Sequence, residues 1–181
     1  MSVFEAILLT IITASTPLVI AGLGELVVER SGVLNLGVEG MMIMGAVAAF
    51  VGAQMTGSPY VGLVTGIIAG ALFSLLFGFL TLTLVTNQVA TGLALTILGL
   101  GLSGMIGEGY VSVPGVQLRE IVFPLLSDIP LVGPVLFKQD LTFYLSIALL
   151  IGVNWFLFRS RAGLKLRAVG DSHGSAHALG I

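Results

Sequence analysis

Residues 40–107 have the sequence GMMIMGAVAAFVGAQMTGSPYVGLVTGIIAGALFSLLFGFLTLTLVTNQVATGLALTILGLGLSGMIG, which contains no Asp, Glu, Lys or Arg. Glu39 precedes this run and Glu108 follows it, so 68 consecutive residues carry no charge. A membrane-spanning helix needs about 20 predominantly apolar residues to cross the hydrocarbon core. The run is long enough for about three crossings, and it predicts a membrane protein.

The composition of the whole chain agrees with this interpretation. Of its 181 residues, 56% are hydrophobic and 9% are charged, whereas about 25% are charged in an average soluble domain. Such a composition is not typical of a soluble enzyme, a disordered protein or a nucleic-acid binder. Because the chain has no Cys, a disulfide scaffold and a Cys-based metal site are excluded as well.

Turn and capping residues divide the sequence into separate membrane spans. They interrupt the uncharged run at Gly57-Ser58-Pro59 and near Thr86-Asn87-Gln88. Together with the apolar segments on either side, this pattern predicts an all-α, polytopic transmembrane helix bundle with about five spans. The predicted spans are residues 3–28, 40–56, 61–85, 88–107 and 141–158.

The first predicted span leaves two alternatives open. Pro17, Gly22 and Gly24 interrupt its apolar sequence, so it could cross the membrane once or form a broken, re-entrant double pass. A single crossing would put the N-terminus outside, and a double pass would put it inside. No Lys or Arg precedes Arg30, which is not typical of a cleavable signal peptide, and we expect the segment to be retained.

The distribution of charge orients the chain in the membrane. Four basic residues directly follow the last predicted span: Arg159, Arg161, Lys165 and Arg167. Short basic segments next to a span stay on the cytoplasmic side, so residues 159–181 are predicted to be cytoplasmic. Residues 108–140, at the other end of that span, contain four of the six prolines and several charges. They are predicted to form an external loop that lies on the membrane face or packs against helix ends.

Small residues recur every four positions on three of the predicted spans. In lipid, helices associate by close approach of their backbones, which Gly, Ala and Ser permit. These stripes therefore predict tight helix–helix packing, with the lining of a pore as the alternative. The stripes are Gly45, Ala49 and Ala53, then Gly62, Gly66, Gly70, Ser74 and Gly78, and finally Gly99, Ser103 and Gly107.

Two patterns imitate known motifs without their context. Gly99-Leu-Gly-Leu-Ser-Gly104 fits GxGxxG but lies inside a predicted membrane helix instead of between a strand and a helix. His173 and His177 are four residues apart, but no Glu lies between them and no third ligand is evident. The sequence therefore predicts no catalytic residue, no metal site and no cofactor, and the chain is not expected to be an enzyme.

Polar residues next to the apolar segments are candidates for a substrate path, because ionisable groups at membrane depth usually face a protein interior or water. A plain loop at the interface is the alternative for the segment around Glu29 and Arg30. For Glu39 the alternative is a carboxylate favoured by a helix N-terminus; for Asn87 and Thr91 it is a helix cap and a hydroxyl bonded to its own helix. The candidate path residues are Asn35, Glu39, Asn87, Gln88 and Thr91.

Residues 29–45, ERSGVLNLGVEGMMIMG, closely resemble the signature of integral permease subunits of ATP-binding-cassette (ABC) importers, in the branch that takes up nucleosides and simple sugars. Three further stretches match that branch. They are residues 87–95 (NQVATGLAL), residues 126–134 (LSDIPLVGP), and residues 161–170 (RAGLKLRAVG) running on to 178–181 (ALGI). The SDIP sequence favours the nucleoside-type branch over the related ribose and branched-chain amino acid permeases.

The resemblance implies a set of partners in the plasma (inner) membrane. These are a second permease subunit, ABC ATPase subunits that hydrolyse ATP, and an external substrate-binding lipoprotein. Family members continue with several more spans, so residues 1–181 are interpreted as a single, incomplete permease domain from the N-terminal part of a longer protein.

The resemblance also implies that residues 159–181 form the loop that couples the ATPase to the spans. Asp171 or Ser172 can cap a short helix containing Ala176, and we expect the small residues Ala168 and Gly170 to allow close approach of a partner. The alternative is a basic loop attracted to anionic lipid headgroups. The residues implied for coupling are Gly163, Leu166, Arg167, Ala168, Gly170, Ala176 and Gly180.

Other classes of function remain open at this point. One is an ion- or proton-coupled secondary transporter or channel without an ATPase, in which Glu25 and Glu39 would be ion sites. Another is an assembly subunit embedded in lipid with no path of its own. The uncharged polar candidates suit a neutral polar solute better than an anion, because the predicted spans contain few cations; the choice between nucleoside and sugar rests on the resemblance alone.

The first testable prediction concerns topology, which single Cys substitutions can report in a chain that has no Cys. Ser58→Cys and Val116→Cys should react with a membrane-impermeant maleimide in intact cells. Lys165→Cys should react only after the membrane is permeabilised, because basic residues keep that segment in the cytoplasm. Labelling of residue 165 in intact cells would contradict the predicted orientation.

Overall fold

A computed structural model of the chain describes residues 3–124, 132–178 and 180. Its helices are α1 (Val3–Arg30), α2 (Val38–Thr56), α3 (Pro59–Gly78), α4 (Gln88–Gly107), α5 (Val132–Leu136), α6 (Leu141–Arg159), α7 (Arg161–Asp171) and α8 (His173–Ala178). The π-helical turn Phe79–Thr83 extends α3, and the 3-10 turn Glu108–Tyr110 extends α4. Two short strands, β1 (Ile121–Val122) and β2 (Lys138–Gln139), pair antiparallel.

Two of the stretches that resemble the permease family are only partly covered. Most of residues 126–134 lies outside the described residues, as do Leu179 and Ile181 of the last stretch.

Five of the described helices are long and apolar enough to cross a membrane. They are α1, α2, α3 with its π-helical turn, α4 with its 3-10 turn, and α6. Each coincides with one predicted span to within a few residues, so the all-α polytopic fold is confirmed.

Helix α1 runs without a break through Pro17 and through Gly22 and Gly24. Its 28 residues give a length of about 42 Å, which is enough for one tilted crossing of a hydrocarbon core about 30 Å thick. The broken, re-entrant alternative for this segment is therefore wrong. A proline is tolerated in a transmembrane helix because neighbouring helices, Ser and Thr side chains and local backbone adjustments satisfy the backbone group that it leaves free.

Residues 33–117 form one of two compact units, in which α2 packs against both α3 and α4. A Cβ atom added to Gly62 would lie 2.5 Å from the Ala49 carbonyl oxygen and 2.8 Å from Ala53 Cβ. A Cβ atom on Gly66 would lie 2.9 Å from Ala49 Cβ. The predicted packing role of the small-residue stripes is confirmed for this half of α3, whereas Gly78 has open space around it.

The contact between α2 and α4 also depends on glycine. A Cβ atom on Gly40 would lie 2.6 Å from the Leu95 carbonyl oxygen, and one on Gly99 would lie 2.8 Å from Gly40 Cα. The two backbones are thus in direct contact at Gly40 and Gly99. Since Gly99 lies within the membrane helix α4, the rejection of GxGxxG as a nucleotide-binding loop is supported.

Residues 1–32 and 118–181 form the other compact unit, in which α1 packs against α6. α1 also contacts α5, which precedes α6, and α7, which follows it. The contact with α7 is made by Arg30 at the C-terminal end of α1. α1 and α6 therefore run in the same direction, and a cytoplasmic α7 would put the N-terminus outside.

The described part of the predicted external loop folds onto the start of α6. Asp140 caps this helix by accepting hydrogen bonds from the Phe143 N–H at 3.0 Å and from the Thr142 hydroxyl at 2.7 Å. The Tyr144 hydroxyl donates to the Leu136 carbonyl oxygen at 3.0 Å, and the Phe123 ring meets the Tyr144 ring edge-to-face. The expectation that this loop packs against a helix end is confirmed for these residues.

Substitution of Gly99 tests whether backbone contact holds α2 and α4 together. Gly99→Ala should lower the free energy of unfolding by about 1–3 kcal/mol, because the new methyl group overpacks the contact with Gly40. The matched control is Gly101→Ala on the same helix, where nothing lies within 4 Å and no loss is expected. Thermal unfolding in detergent measures both, and equal stability of the two variants would contradict the contact.

Candidate functional site

Asn35 shapes the turn between α1 and α2. Its side chain is buried, with 6% of its surface exposed. Its Oδ1 atom accepts a hydrogen bond from the Gly37 N–H at 3.0 Å, which closes an Asx turn directly before α2. Its Nδ2 atom lies 3.7 Å from Met41 Sδ. Asn35 thus fixes the direction in which the chain enters α2.

The same turn is bonded to α4, within the unit formed by residues 33–117. The Leu34 N–H donates to Gln88 Oε1 at 2.8 Å, and the Thr96 hydroxyl donates to the Leu36 carbonyl oxygen at 3.1 Å. A Cβ atom on Gly92 would lie 2.9 Å from the Leu36 backbone nitrogen. Two of the five candidates for the path are therefore close in the structure, because Gln88 is bonded to the turn that contains Asn35.

Asn87 and Thr91 occupy the first turn of α4. Asn87 Oδ1 accepts from the Ala90 N–H at 3.0 Å, so its interpretation as a helix cap is confirmed. Thr91 does not bond to its own helix among the described contacts; its hydroxyl lies 2.9 Å from the Thr86 hydroxyl. Because Thr86 donates its only proton to the Leu80 carbonyl oxygen at 2.8 Å, Thr91 is the donor in this pair.

Thr91 also lines an open pocket of about 390 Å³ between α3 and α4. Its hydroxyl is the only side-chain polar group among the lining residues, so the pocket is an apolar surface with one hydrogen-bonding point. The lining residues are Leu76, Leu80, Ala90, Thr91, Ala94, Leu95 and Leu98.

Glu39 lies in the first turn of α2 and is exposed. The partial positive charge at a helix N-terminus favours a carboxylate at this position, so its place in the helix agrees with the alternative given for it above. A path role for Glu39, as for the other four candidates, stays a prediction. Among the described residues, no group of three His, Cys, Asp or Glu side chains could hold a metal ion.

The segment after α6 contains a helix that the sequence did not predict. Residues 159–181 were expected to be a loop with one short helix near Ala176, but α7 also covers Arg161–Asp171. The Ser160 hydroxyl caps this helix by accepting from the Gly163 N–H at 2.9 Å. The missed signal was Ser160 in front of an amphipathic pattern. α8 follows, and the Ser175 N–H donates to the Ser172 hydroxyl at 3.3 Å, so Ser172 is the cap.

Two of the seven residues implied for coupling are buried. Gly163 is buried against the Phe156 carbonyl oxygen and the Leu157 Cα atom, and only 3% of Ala176 is exposed. Gly170 contacts the backbone of Arg30–Gly32, and its role in the approach of a partner stays a prediction. Of the remaining four, Leu166, Arg167 and Ala168 are half-buried, and Gly180 is exposed.

Apart from Gly180, the exposed residues of this segment are not those implied for coupling. Arg161, Leu164 and Lys165 are exposed on α7, with 60% of Leu164 accessible, and His173 and His177 are exposed on α8. Sequence reasoning missed these residues as a surface because it favoured small residues. The helical spacing of Arg161 and Lys165, four residues apart, was the signal that could have identified them.

Residues 7–181 match the family described as branched-chain amino acid transport system / permease component. The chain is 40% identical to a putative glucose ABC transporter permease protein, TsgC13, of Haloferax volcanii over 100% of this chain and 56% of the relative. It is 32% identical to the nucleoside ABC transporter permease protein NupC of Lactococcus lactis, in an alignment that covers 98% of this chain and 59% of the relative. It is 33% identical to the guanosine ABC transporter permease protein NupQ of Bacillus subtilis, in an alignment that covers 92% of this chain and 56% of the relative.

The chain thus spans little more than half the length of these relatives. No solved structure is significantly similar to it.

Substitutions of Asn35 test its role in the turn before α2. Asn35→Leu should cost about 1–3 kcal/mol of stability, because the buried Gly37 N–H loses its acceptor. Asn35→Ser should cost less, since a Ser hydroxyl can form the same kind of turn more weakly. Chemical denaturation in detergent would compare them; a Leu variant as stable as the Ser variant would show that this hydrogen bond does not hold the turn.

Proposed function

The chain belongs to the family of branched-chain amino acid transport system permease components, and from this premise we propose that it forms a membrane-spanning part of an ABC importer for nucleosides or simple sugars. It is a multi-pass protein of the plasma membrane. ATP hydrolysis is assigned to separate ATPase subunits, and the chain itself is not an enzyme. A second permease subunit and an external substrate-binding lipoprotein complete the proposed assembly.

The observation that carries the proposal is the joint between α6 and α7. Ser160 alone separates the two helices; its hydroxyl donates to the Phe156 carbonyl oxygen at 2.7 Å and accepts from the Gly163 N–H. Gly163 lies so close to Phe156 that even a methyl group would collide with its carbonyl oxygen. A displacement of α7 therefore acts directly on the end of a membrane span, as coupling to an ATPase requires.

The exposed side chains of α8, including His173, Ser175 and His177, are the surface that we assign to the ATPase subunit. The buried residues of the coupling set have a different role in this proposal. Gly163 and Ala176 fix the segment to the protein, so a force applied to α8 reaches the spans instead of bending a loop.

The substrate class is supported by the chemistry near α4 and by the names of the relatives. Those relatives are named for glucose, nucleosides and guanosine. These solutes are neutral and rich in hydroxyl groups, and the Thr91 hydroxyl offers a hydrogen bond within an otherwise apolar pocket. No Lys or Arg occurs between Glu39 and Glu108, which disfavours an anionic solute.

Reconstitution of the assembled transporter in liposomes tests the function. Uptake of labelled guanosine, adenosine, ribose and glucose is measured with the binding protein present, with and without ATP. Uptake should require ATP and should be competed by members of one solute class. Uptake driven by a proton gradient in the absence of ATP would overturn the proposal in favour of a secondary transporter.

Substitution of Thr91 tests its contact with the transported solute. Thr91→Val removes the hydroxyl and should raise the KM of uptake about three- to tenfold, the value of one hydrogen bond. The control is Thr83→Val, at a nearby exposed hydroxyl in the π-helical turn, which should leave KM unchanged. If both variants transport every solute with the KM of the unmodified transporter, Thr91 is not part of the path.

A further inference from the structure

Two glycines bring the backbone of α7 into contact with the backbone that follows α1. A Cβ atom on Gly32 would lie 3.0 Å from Gly170 Cα and 3.2 Å from the Gly170 carbonyl oxygen. A Cβ atom on Gly170 would lie 2.9 Å from the Gly32 nitrogen and would collide with the Arg30 carbonyl oxygen. A side chain at either position would force the two segments apart.

Gly32 is required for a second reason, which is its backbone conformation. Its φ angle is +86°, in the left-handed region that residues with a Cβ atom rarely adopt. In this conformation its N–H donates to the Glu29 carbonyl oxygen at 3.0 Å, beside the bond from the Ser31 N–H to the Val28 carbonyl oxygen. Gly32 thus ends α1 and at the same time presents bare backbone to Gly170.

We propose that Gly32 and Gly170 are positioning residues that transmit movement of the α7–α8 segment to α1. The inference rests on the proposed function and names its route: α7 is attached to α6 through Ser160 and to α1 through this glycine contact. Side chains can change rotamer and absorb a displacement, whereas two backbones in contact cannot. Movement of α7 therefore displaces the end of α1 together with α7.

Alanine substitutions in the assembled transporter test this route. Gly32→Ala and Gly170→Ala should each lower the number of solute molecules transported per ATP hydrolysed by roughly tenfold, while ATP hydrolysis continues. The control for Gly32 is Gly57→Ala, whose φ is also positive, at +69°, but which has open space around it. The control for Gly170 is Gly152→Ala, a helical glycine in α6 with nothing within 4 Å.

The ratio of transport to ATP hydrolysis separates a positioning role from a structural one. A loss of stability alone lowers both rates together through the amount of assembled complex, which co-purification of the subunits measures. A falling ratio in the Gly32 and Gly170 variants, with both controls unchanged, supports the route. An unchanged ratio in assembled Gly32→Ala and Gly170→Ala complexes overturns it.

If these variants do not assemble, the distance between α7 and the end of α1 in the otherwise unmodified transporter tests the proposal instead. Spin labels on Ser31→Cys and Asp171→Cys, in the chain that otherwise lacks Cys, report the separation of α7 from the end of α1. The separation should stay constant between the nucleotide-free and ATP-analogue states, while a reference pair on the ATPase subunits changes. A change between positions 31 and 171 overturns the inference, whereas absence of ATP-dependent uptake by the unmodified transporter overturns the proposed function itself.

Discussion

Close approach of backbones is the constraint on which the packing of this protein depends. In lipid, apolar side chains gain little by leaving the hydrocarbon for a neighbouring helix, so helices associate through van der Waals contact and hydrogen bonds. Such contact is greatest where no Cβ atom intervenes. Gly40 and Gly99 provide it between α2 and α4, Gly62 between α3 and α2, and Gly170 between α7 and the end of α1. The same residue type therefore joins membrane helices to each other and α7 to the end of a span.

The second consequence of a membrane environment is that backbone polar groups must find partners within the protein. Several polar side chains meet this need at helix ends. Asn35 accepts from the Gly37 N–H, Asn87 from the Ala90 N–H and Ser160 from the Gly163 N–H. Asn35 and Asn87 were candidates for contact with the substrate, and the structure shows that each also stabilises a turn or a helix end. A polar residue beside a membrane span can contact a solute only if one of its hydrogen-bonding atoms is not already used within the protein. Among the candidates, Thr91 meets this condition best, because it lines a pocket.

The sequence was sufficient to predict what depends on local pattern. Length, hydropathy and turn residues located all five spans, and Asn87 before an apolar run identified a helix cap. Contacts between residues distant in the chain were not accessible in this way. The four-residue spacing of small residues showed that α3 has a packing face, but it did not show that Gly99 meets Gly40, or that Gly170 meets Gly32 across more than a hundred residues. α7 was missed for another reason: residues 159–181 were interpreted as a coupling loop with one short helix, and the Ser160 cap was overlooked.

The distribution of packing has a consequence for mechanism. Among the described residues, Leu157 is the largest fully buried side chain, and many Leu, Ile and Val side chains of the spans are exposed. Leu157 lies in the last turn of α6, where Gly163 of α7 packs against its Cα atom. Among the described residues, the joint between α6 and α7 is therefore where a large side chain is buried most completely. Tight packing transmits displacement, so a movement of α7 acts on the last turn of α6 with little loss. In the proposed importer, such a joint is what lets the energy of a partner shift the spans between two states.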